Sequence, residues 1–123
     1  MKEDCIYLMV EDGPKGRIKI GFSNDPIGRS LQLSAKIDQE KSIFIYVDQD
    51  QVKLIEKLLH RMFRKYNARM ETNRASQNGE TEWFENRCFG LAKTFIDKNS
   101  KLFVARKWKT FLAANGERIT SCR

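Results

Sequence analysis

The chain has 123 residues, the size of one domain with a real hydrophobic core, which argues against several domains. Its content of 41% hydrophobic and 32% charged residues, with two prolines, excludes an intrinsically disordered protein. The formal net charge is +7, and residues 86–123 hold nine Lys and Arg against two Asp and Glu. Such a basic segment favours an anionic partner, most often nucleic acid, or is a solvated face that only aids solubility.

The cysteines and the N-terminus indicate the compartment. Cys5, Cys88 and Cys122 are scattered and form no C-x-x-C pair, which argues against a disulfide framework and a zinc site. The N-terminus lacks a basic segment, and the apolar run 5–10 is too short for a signal peptide or a membrane span. We therefore expect a cytoplasmic protein without a membrane segment.

Two alternating apolar runs, residues 5–10 and 17–22, predict a pair of β-strands near the N-terminus. The loop between them is rich in turn residues, so the two strands should form a hairpin. Because side chains alternate along a strand, Tyr7, Lys19 and Gly21 belong to the sheet face opposite the main aliphatic one.

A short helix is predicted after this hairpin. Asp25 can cap the first helical amides and Pro26 suits the first turn, so the helix should run to about residue 35 and carry Arg29. The β-branched and aromatic run 43–47 then predicts a central strand buried on both faces.

A longer amphipathic helix follows this strand, and Asp48 and Gln51 have the spacing of a capping box at its start. Glu56 lies at the border of the apolar stripe, where a carboxylate is partly desolvated yet reachable, as suits a metal ligand. His60 is one turn further on and can share whatever Glu56 contacts. The opposite side is basic and includes Lys57 and Arg61.

The last part of the chain is polar and then basic. Residues 67–82 predict a long loop that contains Arg69 and Arg74. One helix should follow residue 85, and a second, basic helix should span about residues 101–114, ended by Gly116. The basic residues that we expect to bind nucleic acid are Lys57, Arg61, Arg69, Arg74, Lys101, Arg106, Lys107 and Lys109.

Five short motifs, in this order, resemble the GIY-YIG endonuclease superfamily and especially its compact phage-associated branch. They are Cys5-Ile6-Tyr7, Lys19-Ile20-Gly21, the helix entry with Arg29, the helix segment with Glu56, and Glu82-Trp83-Phe84. The resemblance implies an α+β core in residues 1–85, a small three-stranded antiparallel sheet flanked by helices. Residues 86–123 would then be a basic helical extension packed on the same domain.

The resemblance also implies an activity, the metal-dependent hydrolysis of nucleic-acid phosphodiester bonds, with DNA favoured over RNA. Glu56 would hold one Mg²⁺ or Mn²⁺ ion, Arg29 would bind the scissile phosphate, and Tyr7 would accept the proton of the attacking water. Lys19 replaces the second tyrosine of the family and, like His60, is a further catalytic candidate. The alternative that Lys19 favours is a catalytically lapsed module that binds nucleic acid or a protein partner as a regulator.

Overall fold

The computed structural model of the protein describes residues 3–33, 35–68 and 83–121, with side chains up to residue 116. The elements, in chain order, are β1 (Glu3–Val10), β2 (Ile18–Ser23), α1 (Pro26–Leu31), β3 (Ile43–Asp48), α2 (Val52–Met62), a 3₁₀ turn (Arg64–Tyr66), β4 (Trp83–Phe84), α3 (Cys88–Lys98), α4 (Ser100–Phe103), β5 (Lys109–Thr110) and α5 (Phe111–Ser121). Arg69, Arg74, Glu82 and Cys122 lie outside the described residues.

The strands form one open antiparallel sheet in the order β4-β2-β1-β3-β5. The predicted hairpin is confirmed as β1 and β2, and the strand after it as β3, although β3 lies next to an edge strand rather than at the centre. The prediction of three strands is wrong, because β4 and β5 extend the sheet at its two edges. Each added strand has only two residues, too few to leave an alternating pattern in the sequence. The central strand is β1, which pairs on one side with β2 and on the other with β3.

One face of the sheet packs under α2 and α3, and we call it the aliphatic face. Ile55 and Leu59 of α2 and Ala92 of α3 are completely buried against it. Removing this much branched aliphatic surface from water is the main stabilising term for a domain of this size. The strand residues on the aliphatic face are Ile6, Leu8, Val10, Ile18, Ile20, Ile43, Ile45 and Val47.

The opposite face, which we call the tyrosine face, packs under α1 and α5. Ile27 of α1 and Phe111 of α5 are buried there, together with Trp83 of β4. Polar and apolar side chains are mixed on the tyrosine face, where the strand residues are Cys5, Tyr7, Met9, Lys19, Phe44 and Tyr46. The period of two along β1 therefore separates an aliphatic layer from a mixed one.

The helix after the hairpin begins as predicted. The Asp25 side chain accepts a hydrogen bond from the Gly28 amide at 3.1 Å, and proline occupies the first turn. The helix ends at Leu31 rather than near residue 35. It stops early because the chain turns back to the sheet, where Ile37 forms a β-bridge with Glu11.

The start of α2 differs from the predicted capping box. The helix cap is Gln51, which makes no side-chain cap bond, and the Asp48 carboxylate instead accepts from the Asp50 amide at 3.1 Å. The capping box is wrong because β3 runs on to Asp48 and a tight turn separates strand from helix. The amphipathic pattern itself is confirmed, with Val52, Ile55 and Leu59 buried.

The predicted basic helix over residues 101–114 is wrong. The helix α4 ends at Phe103, because Val104 adopts the left-handed conformation with φ 51°. The chain then continues extended, and the Arg106 amide donates to the Tyr46 carbonyl of β3 at 3.0 Å. Gly116 does not end a helix there but lies inside α5.

None of the helices in the described part of the chain is long and apolar enough to cross a membrane.

Candidate active site

The ring of Tyr7 crosses the neighbouring strand directly above Gly21. The two residues face each other in the β1–β2 ladder, and a Cβ on Gly21 would come within 2.5 Å of Tyr7 Cζ and closer still to the hydroxyl. Real Cβ atoms essentially never approach other atoms within 3.0 Å, so only glycine permits this arrangement. The phenol, 2% exposed, is thereby directed away from the sheet centre and across β2.

Lys19 lies on the same face, two residues from Gly21 and diagonal to Tyr7 in the ladder. Its side chain is completely buried, which is rare for lysine. The ammonium lies 5.8 Å from the centre of the Trp83 ring, and the Arg17 guanidinium lies 5.5 Å from the same ring. Two cations therefore flank one indole beside the tyrosine.

Arg29 is carried by α1, the helix that packs on the tyrosine face. Its side chain is half-buried, and its guanidinium donates to the side-chain amide oxygen (Oε1) of Gln32 at 3.4 Å. A hydrogen bond of this length and exposure is weak, so an anionic group can displace it. The Asp25 cap and Pro26 fix where this helix leaves β2 and hence where Arg29 stands.

Glu56 and His60 come from α2, on the aliphatic side of the sheet. The Nε2 atom of His60 lies 2.8 Å from the Ile20 carbonyl of β2, and its ring meets Phe84 edge-on at 5.1 Å between centres. Glu56 is half-buried one turn before His60. The imidazole therefore ties α2 to β2 at the residue next to Gly21.

Helix α2 reaches strand β2 at Ile20, through the contact of His60 with the Ile20 carbonyl. Within residues 3–33, 35–68 and 83–121, strand β4 pairs with β2 at Ile18 and Lys19. We call the outer side of residues 20–23 the β2 edge. The structure brings Tyr7 and Lys19 together on one face beside α1, whereas α2 with Glu56 approaches the β2 edge from the other face.

The predicted nucleic-acid-binding residues fall into three places. Lys57 and Arg61 are exposed on α2, and Lys101 is exposed on α4. Arg69 and Arg74 lie outside the described residues. The others belong to the extended chain at β5 and border a shallow pocket of about 450 Å³, whose lining is Glu3, Tyr46, Arg106, Lys107 and Lys109.

We call these five lining residues the β5 pocket. Arg106 forms an ion pair with Glu3, and the Lys109 ammonium lies 5.9 Å from the centre of the Tyr46 ring. Tyr46 was missed as a site residue by sequence reasoning. Its alternation with Phe44 on β3 already places it on the face of Tyr7, and this is the signal that would have found it.

Cys5 and Cys88 are free, buried thiols. Burial raises the pKa of Cys5 from 9.0 to about 12, while a hydrogen bond from the Tyr46 hydroxyl lowers it in part. Burial also raises the pKa of Cys88 from 9.0 to about 11. Since the thiolate is the reactive form, neither cysteine suits nucleophilic chemistry.

Glu56 could hold a metal only together with ligands from outside its own side chain, such as substrate oxygens and water. No group of three or more His, Cys, Asp or Glu side chains able to hold an ion occurs within residues 3–33, 35–68 and 83–121. Mg²⁺ is commonly held by one or two carboxylates, with substrate phosphates and waters completing its six ligands. A single half-buried carboxylate such as Glu56 is compatible with that type of site.

The described residues thus form an antiparallel sheet whose first hairpin sets a tyrosine over a glycine and is followed by a helix with an arginine. A family model described as the T5orf172 domain matches residues 4–109. The chain therefore belongs to the T5orf172 domain family, which is phage-associated and nuclease-like. Searches of curated proteins and of solved structures found no significant match.

The family match extends beyond the GIY-YIG resemblance. It passes through α3 and α4 and ends at Lys109, the first residue of β5. Residues 86–109 are thus part of the family domain, and β5 is part of its sheet.

Proposed function

We propose that the protein is a metal-dependent endonuclease that hydrolyses phosphodiester bonds of DNA at the β2 edge. The observation that carries the proposal is the close approach of Tyr7 to Gly21. The absence of a side chain at Gly21 lets the Tyr7 ring reach across β2, and this would hold the hydroxyl at a fixed point, as a proton acceptor requires.

In this proposal, each residue around the β2 edge has its own role in hydrolysis. Arg29 binds the scissile phosphate, and its charge counts most when the phosphate becomes more anionic in the transition state. Tyr7 accepts the proton of the attacking water, with positive charge from Lys19 and Arg29 supporting the phenolate. Glu56 holds the divalent ion, Mg²⁺ or Mn²⁺, which polarises the phosphate and offsets developing charge when bound.

His60 has a positioning role in this proposal. Its bond to the Ile20 carbonyl and its contact with Phe84 hold α2 against β2. Glu56, one helical turn earlier, is thereby kept at a fixed distance from the β2 edge.

The test is cleavage of plasmid and single-stranded DNA with Mg²⁺ or Mn²⁺, compared with EDTA and with the Glu56→Ala variant. We expect cutting to require the ion and to fall at least about 100-fold in Glu56→Ala, the scale seen when one preorganised catalytic group is removed. Glu40→Ala, which removes an exposed carboxylate near the end of another loop, is the matched control and should cut normally. Full activity of Glu56→Ala would end the proposed mechanism.

The second candidate is a binding module without catalysis, and the buried Lys19 at the place of the second family tyrosine favours it. Such a module would bind nucleic acid or a protein partner and leave DNA intact with every ion. The Lys19→Tyr variant separates the two functions. New cutting by this variant, from an inactive parent, would identify Lys19 as the change that removed catalysis.

A further inference from the structure

We propose that the β5 pocket is a second phosphate-binding site, which holds the nucleic-acid backbone several nucleotides away from the bond that is cut. This inference rests on the proposed function for the identity of its ligand. It concerns a different part of the molecule, formed by β5 and the ends of β1 and β3.

The segment that carries the pocket cations is anchored on both sides of them. The Arg106 amide donates to the Tyr46 carbonyl, and the next residues are fixed by β5 pairing with β3. Between the two lysines, the Trp108 indole donates to the Asp97 carboxylate of α3 at 2.8 Å. Phe111 then enters the core, completely buried. The segment is therefore held in place before any ligand arrives.

Because the backbone of this segment is extended, successive side chains point to opposite sides. Trp108 packs toward the aliphatic cluster, so Lys107 and Lys109 on either side of it project to the other side of the segment. Both lysines are exposed, which leaves their ammonium groups able to meet a phosphate.

The charges in the β5 pocket favour one anion of modest size. Arg106 is paired with Glu3, so the two lysines provide the net positive charge of the pocket. The Tyr46 ring forms a flat wall beside Lys109, at 5.9 Å from its ammonium to the ring centre. A backbone phosphate with its sugar matches this combination of point charges and a flat apolar surface.

The sheet fixes the distance between this pocket and the proposed cleavage site. From β5 to β2 there are three strand spacings of about 4.8 Å, which gives about 14 Å. A nucleic-acid strand advances about 3.4 Å per nucleotide along a duplex axis. The β5 pocket would thus contact the backbone about four nucleotides from the scissile bond.

The experiment measures binding rather than cutting, with a fluorescent DNA duplex in EDTA over a range of salt concentrations. The variant is Lys107→Gln with Lys109→Gln. The matched control is Lys53→Gln with Lys93→Gln, which removes two exposed lysines from the outer sides of α2 and α3. Both double variants change the net charge equally.

We expect the pocket variant to bind at least about tenfold more weakly and to lose about 1.8 from the slope of log affinity against log salt, the value for two phosphate contacts. The control should bind within about twofold of the parent. Equal losses in both double variants, or parental binding by the pocket variant, would overturn the proposal. A failure of cleavage with intact pocket-dependent binding would instead count against the endonuclease mechanism alone.

A second measurement tests the distance. Duplexes that extend two or eight base pairs beyond the preferred cut position are compared for binding to the parent and to the pocket variant. The pocket variant should bind both lengths alike, whereas the parent should favour the longer one. Parental binding that is independent of length would place the phosphate contact elsewhere.

Discussion

The two faces of the sheet differ in the kind of side chain that they bury. The strand residues of the aliphatic face are branched side chains under α2 and α3, although α2 itself also carries Glu56 and His60. The tyrosine face is also buried, yet it contains a lysine, a thiol and two phenols. Burying polar groups costs stability unless they are paired, so these side chains need partners within the fold. The comparison teaches that burial alone does not separate the core from the site, whereas the chemistry of the buried groups does.

The largest effect should come from the aliphatic face. Leu8→Ala removes a completely buried side chain at the centre of the sheet and should cost about 2–5 kcal/mol in the free energy of unfolding. Chemical denaturation measures this loss. Cleavage per folded molecule should stay near the parental rate, and a selective loss of cutting would show that the aliphatic face also shapes the site.

A smaller loss of stability with a larger loss of activity should follow Gly21→Ala on the tyrosine face. The new methyl group collides with Tyr7, which should cost about 1–3 kcal/mol in the free energy of unfolding. Displacing the phenol by about 1 Å should lower cleavage about 100-fold.

Tyr7→Ala is the control for this collision. Combined with Gly21→Ala it removes the steric conflict, so the second substitution should add less destabilisation than it does alone. Cutting should stay lost in the double variant. Normal cleavage by Gly21→Ala would contradict the proposed role of the Tyr7 hydroxyl.

The pH dependence of the free energy of unfolding tests one buried thiol on each face, Cys5 on the tyrosine face and Cys88 on the aliphatic face. Each folded-state pKa is raised, so each thiol contributes stability that is fully present below pH 9.0 and is lost as pH rises toward about 12 for Cys5 and about 11 for Cys88. Denaturation under reducing conditions should show a shallower alkaline loss in Cys5→Ala than in Cys88→Ala. If Cys88→Ala reduced the alkaline loss of stability more than Cys5→Ala, the predicted order of the two thiols would be wrong.

The smallest effect should come from the cap that sets the position of α1. Asp25→Ala removes the hydrogen bond to the Gly28 amide and should cost about 1 kcal/mol in the free energy of unfolding. The helix entry loosens, so cleavage should fall through misplacement of Arg29. Asp50→Ala, an exposed carboxylate in the turn before α2, should change neither quantity.

The helices and strands with a clear hydrophobic period were predicted correctly from the sequence. The strands β1, β2 and β3 alternate clearly, α2 and α3 carry apolar stripes, and Asp25 with Pro26 marked the start of α1. The short strands β4 and β5 had no such pattern. Their formation depends on pairing with distant strands, which a local window of sequence does not contain. The left-handed Val104 likewise reflects tertiary packing, since β-branched residues rarely adopt this conformation.

The candidate site was predictable in its residues but not in its arrangement. Motif order identified Tyr7, Arg29 and Glu56, whose roles remain predictions. It gave no sign that His60 would contact a backbone carbonyl or that Lys19 would be completely buried. Both features arise where strand and helix meet in three dimensions.

The order of the strands has a consequence for how the molecule is completed during synthesis. The hairpin of β1 and β2 closes over a short loop, whereas β5 must find β3 across more than sixty residues of chain. Long-range pairing is entropically slow, and β4 pairs with β2 across a similar separation, so both edges of the sheet should close after the hairpin. An N-terminal fragment that stops before β5 would contain the catalytic candidates but lack the β5 pocket, and under the proposal above it would bind DNA more weakly than the whole domain.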